Sequence, residues 1–284
     1  MTQPDDPTTL VSTAWLATHL ADPDMRVLDA SWYLPAQHRD ARAEYAAAHI
    51  PGARFFDLDE IADLTVDLPH MAPPPEKFAS RLRVLGVGDA SQVVVYDGMG
   101  IFSAARVWWT CRLMGLPRIA VLDGGLPKWR GEGRALTADL PAPFRPHLTP
   151  HPQPHLVKTA AQVLQALQSG SAQVVDARST ARFTGDAPEP RAGLRSGHMP
   201  GARNLPYTAT LNPDGTLKSP EDLRAAFAAA GVDLARPIIT TCGSGVTAAV
   251  LSLALTRLSH ADHALYDGSW AEWGAAANLP AQQG

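Results

Sequence analysis

Cysteine is scarce in this chain: 284 residues carry only two, Cys111 and Cys242. Two thiols cannot make a disulfide framework, and the count excludes a zinc site built from Cys pairs. No apolar stretch reaches the roughly 18 residues that a membrane-spanning helix needs. Met1 to Thr9 is polar and acidic, without the apolar core of a signal segment. No run of basic residues stands out and the net charge is −4, which argues against nucleic acid as a partner. These absences lead us to expect a soluble, cytoplasmic protein that needs no membrane. What is present suits globular cores: 45% hydrophobic against 18% charged residues. The length favours two domains over one.

The chain repeats itself. Val27-Leu28-Asp29-Ala30 is answered by Val174-Val175-Asp176-Ala177. His49-Ile50-Pro51-Gly52-Ala53-Arg54 is answered by His198-Met199-Pro200-Gly201-Ala202-Arg203, and Asp123-Gly124-Gly125 by Asp267-Gly268-Ser269. The offsets are 147, 149 and 144 residues, in the same order. We read two homologous domains, 1–139 and 157–284, joined by a Pro-rich linker over 140–156. Such a linker is extended rather than helical. It carries His147, His151 and His155, but a stretched backbone has no reason to aim three imidazoles at one metal ion.

Each half alternates short apolar runs with helical ones. Strands are expected at 26–29, 92–96 and 119–122, then at 173–176, 237–241 and 263–266. Helices are expected at 39–48, 75–85 and 103–114, then at 159–168, 220–230 and 246–258. Short, wholly apolar strands alternating with helices imply an α/β fold. Each domain is expected to be a mainly parallel sheet with helices on both faces.

The candidate site is the run Cys242-Gly243-Ser244-Gly245-Val246-Thr247, between a strand and a helix. A thiol at a strand end, in a Gly-rich turn entering a helix, sits where backbone N–H groups converge and the helix dipole is positive. That setting stabilises a thiolate and makes a nucleophile. The first half has Asp97 at the matching place, so one domain is expected to be catalytic and the other to have kept the scaffold. A cysteine phosphatase would carry Arg six residues after the thiol to grip phosphate; Ala248 stands there. Cys111, in an apolar helical stretch, reads as a small buried hydrophobe. His49 and His198, present in both halves, read as structural.

On these motifs, across roughly 10–273, the chain resembles the rhodanese superfamily. Its tandem form is shared by thiosulfate and 3-mercaptopyruvate sulfurtransferases. The thiosulfate type usually carries Arg and Lys directly after the Cys. The uncharged Gly243 and Ser244 resemble the mercaptopyruvate type, whose donor bears less charge. The resemblance implies an enzyme that needs no cofactor and passes sulfur through a Cys242 persulfide to a thiol such as thioredoxin or glutathione, or to cyanide. It implies that Gly243, Gly245, Val246 and Thr247 hold the sulfur with their N–H groups. Arg182 and Arg191 would bind the donor carboxylate. Ser244, His70 and Asp59 would form a proton relay, with the last two supplied by the first half of the chain. Thiosulfate turnover and a persulfide carrier without turnover of its own remain as alternatives.

Overall fold

A computed structural model of the chain describes residues 4–284. In the first half β1 (Leu10–Val11), α1 (Thr13–His19), β2 (Met25–Asp29), α2 (Ala41–Ala47), β3 (Ala53–Phe55) and α3 (Leu58–Ile61) come first. They are followed by α4 (Pro75–Val84), β4 (Gln92–Tyr96), α5 (Ser103–Leu113), β5 (Ile119–Leu122) and α6 (Gly125–Gly131). The second half opens with β6 (Val157–Lys158), α7 (Ala160–Ser169), β7 (Gln173–Asp176), α8 (Thr180–Thr184) and β8 (Arg203–Asn204). It closes with α9 (Pro220–Ala229), β9 (Ile238–Thr241), α10 (Ala248–Arg257), β10 (His263–Tyr266) and α11 (Ser269–Trp273).

The two sheets have five strands each and the same order, β1-β5-β4-β2-β3 and β6-β10-β9-β7-β8. Every pairing is parallel, as the apolar strands require. After β7 the chain adds β8 on one side and then returns to place β9 on the other. The crevice at the carboxyl ends of β7 and β9 is therefore a topological switch point, where open α/β sheets bind ligands. Cys242 directly follows β9, and Asp97 directly follows the corresponding β4.

The expected central strands stand within a residue of their observed bounds. The helix expected from Val246 begins at Ala248, because Val246 and Thr247 belong to the turn. The edge strands β1, β3, β6 and β8, of only two or three residues, carry too little pattern to be read. α5 and α10 are buried almost all round, with Ala248 to Leu255 wholly enclosed, so neither shows a polar face. Cys111 is fully buried in α5 and burial pushes its thiol up, which makes it inert.

The chain packs as two compact units, and they do not follow sequence order throughout. Among the described residues, unit 1 comprises 4–62, Pro73–Gln153 and Leu211–Leu217; unit 2 comprises Asp63–Ala72, Pro154–Thr210 and Lys218–Gly284. Each half of the sequence thus lends a short arm to the other half's unit. The core of unit 1 gathers Leu16, Val27, Tyr45, Ile50, Val94 and Trp129. That of unit 2 gathers Val163, Val174, Met199, Ile239, Trp270 and Trp273. His49 and His198 serve these cores. Each Nδ1 meets a backbone carbonyl, of Tyr45 at 2.7 Å and Phe183 at 2.8 Å. Each ring stacks on that same aromatic residue, 4.2 and 3.8 Å between centroids. No described helix is long and apolar enough to cross a membrane.

Candidate active site

Cys242 is almost wholly enclosed, 2% exposed, at the end of β9. The turn after it needs Gly245 at φ +76°, a left-handed conformation that glycine takes without strain. The turn is braced from the start of α11. The N–H groups of Trp270 and Ala271 donate to the carbonyls of Cys242 and Gly243, at 2.9 and 2.8 Å. The Ser269 hydroxyl accepts from the N–H of Cys242 at 3.2 Å and donates to the Tyr266 carbonyl at 2.8 Å. To do this Ser269 sits at φ +49°, a conformation that costs a non-glycine residue about 1–2 kcal/mol. Such strain persists only where the surroundings impose it.

His70 belongs to unit 2 by its packing, although it comes early in the sequence. Its Nδ1 lies 3.0 Å from Ser244 Oγ, and both side chains are buried. His70 is also left-handed, at φ +62°. Of the three residues named for a relay, the fold brings these two together. Asp59 lies in α3 of unit 1, where its carboxylate accepts from the Trp32 indole N–H at 3.0 Å.

Arg182, in α8, lies against the loop: a Cβ built on Gly243 would stand 2.9 Å from its Nη2. Glycine at 243 is what leaves room for the guanidinium. Arg182 is clamped by Glu189, Nε to Oε1 at 3.2 Å and Nη2 to Oε2. Glu189 also takes Arg178 Nη1 at 2.7 Å, and Arg178 in turn grips both oxygens of Asp176 at the end of β7. Arg178, Asp176 and Glu189 are buried, so each charge is admissible only because the others meet it. Arg191 stands half-buried two residues beyond Glu189.

Sequence motifs assign no role to Glu189, Arg178 or Ser269. Ser269 lay within a repeated segment and Glu189 between two candidate arginines, but nothing in the order of residues says that Glu189 reaches back to both Arg178 and Arg182. Among the described residues, no three His, Cys, Asp or Glu side chains cluster to hold a metal ion.

The rhodanese-like domain model matches residues 12–132 and again 159–276, so the chain belongs to the rhodanese family. A human 3-mercaptopyruvate sulfurtransferase is 44% identical over 274 residues, covering 93% of this chain and 91% of that one. A thiosulfate sulfurtransferase of Cricetulus griseus is 45% identical over 275 residues, with 93% and 91% covered. The crystal structure of SseA from Escherichia coli, a 3-mercaptopyruvate sulfotransferase with the rhodanese fold, superposes with a TM-score of 0.85 at 41% identity. It covers 93% of this chain and 99% of that one. The chain is thus a sulfurtransferase, with a sulfur donor and a sulfur acceptor as its substrates.

Proposed function

We propose that the chain moves the sulfur of 3-mercaptopyruvate to a thiol or to cyanide, through a persulfide on Cys242. The Cys242 thiolate attacks the donor sulfur and a sulfur–sulfur bond forms. The carbon–sulfur bond breaks, its electron pair stays on carbon, and the pyruvate enolate leaves and takes a proton. An acceptor thiolate then attacks the outer sulfur and returns the Cys242 thiolate. In this reading the N–H groups of Gly243, Gly245, Val246 and Thr247 hold the negative sulfur, as an oxyanion hole holds oxygen. Arg182 and Arg191 take the donor carboxylate.

The observation that carries the reading is the Ser244–His70 pair beside Cys242, with the Arg182 guanidinium against the same uncharged loop. An imidazole on a hydroxyl is a route by which a proton reaches the enolate. Asp59 belongs to the relay only as the family resemblance implies it. We assign the non-catalytic role to the first repeat, a cytoplasmic setting to the protein, and thioredoxin, glutathione or cyanide as acceptors.

The test is mass spectrometry after adding 3-mercaptopyruvate alone. The expected result is one extra sulfur atom on the peptide carrying Cys242, with release of pyruvate, and neither in Cys242→Ser. An unmodified peptide sinks the proposal. Thiosulfate turnover is the second reading, favoured by the Cricetulus griseus relative. Against it, Gly243 and Ser244 offer a dianion no charge. With cyanide as acceptor we expect 3-mercaptopyruvate to react much faster than thiosulfate, and Gly243→Arg with Ser244→Lys to move the ratio toward thiosulfate. Steady pyruvate release with a small thiol and no protein partner separates an enzyme from a carrier.

A further inference from the structure

The arm Asp63–Ala72 carries His70 to the Cys242 loop, and something must hold it there. Its ends are closed on themselves, since the Asp63 N–H donates to the Met71 carbonyl at 2.8 Å. One residue further on, the Ala72 N–H donates to Asp267 Oδ2 at 2.8 Å. Pro73 to Pro75 follow at once and stiffen the exit. Asp267 is buried, 5% exposed, and sits two residues before the start of α11, whose Ser269, Trp270 and Ala271 brace the Cys242 loop. One short stretch, 267–271, therefore fixes both partners of the His70–Ser244 pair.

Unit 1 contains the same device without the chemistry. Asp123, the repeat counterpart of Asp267, accepts the N–H of Leu217 through Oδ1 at 2.8 Å. Leu217 ends the other exchanged arm, Leu211–Leu217, closed by the Asn212 N–H on the Thr216 carbonyl at 2.8 Å. That arm brings no histidine to Asp97. The two aspartates do the same structural work, but only one has a catalytic group on the segment it holds.

We propose that Asp267 is a positioning residue, which acts on sulfur transfer by anchoring the His70 arm through the Ala72 N–H. This rests on the reading of His70 and Ser244 as a proton route. Asp123 supplies a matched control. In Asp267→Ala the segment 63–72 should exchange its amide hydrogens faster, and kcat with 3-mercaptopyruvate should fall by up to about 100-fold, the scale of an ångström's misplacement of a catalytic group. KM should change little, because the arginines lie elsewhere. In Asp123→Ala only 211–217 should loosen, with kcat kept. Asp267→Asn, which retains an acceptor oxygen, should recover most of the protection and of kcat; it also serves should the alanine variant fail to fold.

Equal losses of kcat in Asp267→Ala and Asp123→Ala would overturn the proposal, as would undiminished protection of 63–72 in Asp267→Ala. His70→Ala distinguishes this from a failure of the relay. Full kcat in that variant, with 63–72 still loosened by Asp267→Ala, removes the proton route and leaves the anchor standing.

Discussion

The two repeats differ less around their loops than inside them. In unit 2, Arg182 is clamped by Glu189 and lies against Gly243. In unit 1, Arg39 is clamped by Glu44 at 2.8 and 2.6 Å and lies against Gly98, whose added Cβ would stand 3.3 Å from its Nη2. Both loops are braced alike: Trp270 N–H meets the Cys242 carbonyl, and Leu126 N–H meets that of Asp97 at 3.0 Å. The loop of unit 1, however, is filled by its own side chain. Asp97 is fully enclosed and accepts from the N–H groups of Met99, Phe102 and Ala104, each at 2.8 Å. A turn that gathers this many amides is a seat for an anion. In one repeat a carboxylate side chain fills the turn; in the other Cys242 stands at the matching place, and its sulfur is the atom that our proposal loads and empties.

The sharpest way to break this comparison is Cys242→Asp, which rebuilds the first repeat in the second. We expect turnover to vanish, by a thousandfold or more on the order of other nucleophile deletions. The fold should survive, read as an unfolding midpoint close to that of Cys242→Ser. A misfolded variant would show that the second loop is no seat for a carboxylate.

A milder contrast sets the two arginines apart. Arg182→Ala should raise KM for 3-mercaptopyruvate about 10- to 100-fold, the worth of one hydrogen bond to a charged group. Arg39→Ala should leave it unchanged. Equal effects in steady-state assays would mean that the first repeat also takes substrate.

The smallest effect concerns pH. Burial raises Asp97 above the ordinary carboxylate range, against the amides of Ala104, Met99, Phe102 and Gly100, which hold it down. A carboxyl raised in the folded state contributes stability below its unfolded value, near 3.8, and loses that contribution as pH rises through the folded value. The stability of the native chain relative to Asp97→Asn should therefore decline as pH rises through this window. Urea midpoints at a series of pH values check the sign, and a difference that grows with pH contradicts it.

Much of the fold was legible because its central strands are short, apolar and repeated. The seat of Cys242 was legible because a thiol, two glycines and a following apolar helix stand within a few residues. The roles of Glu189, Ser269 and Asp267 were not. Glu189 looks like any surface acid until Arg178 and Arg182 converge on it. Ser269 matters because φ +49° turns its hydroxyl to the Cys242 N–H, a torsion that no pattern of residue types announces.

By itself the sequence determined a duplicated α/β scaffold with one thiol at a strand end, since periodicity and turn chemistry are local properties. The tertiary structure alone decided that residues 63–72 pack with the second unit and set His70 3.0 Å from Ser244, 174 positions away along the chain. Hydrogen bonds between distant segments depend on packing, and the order of residues does not carry that information.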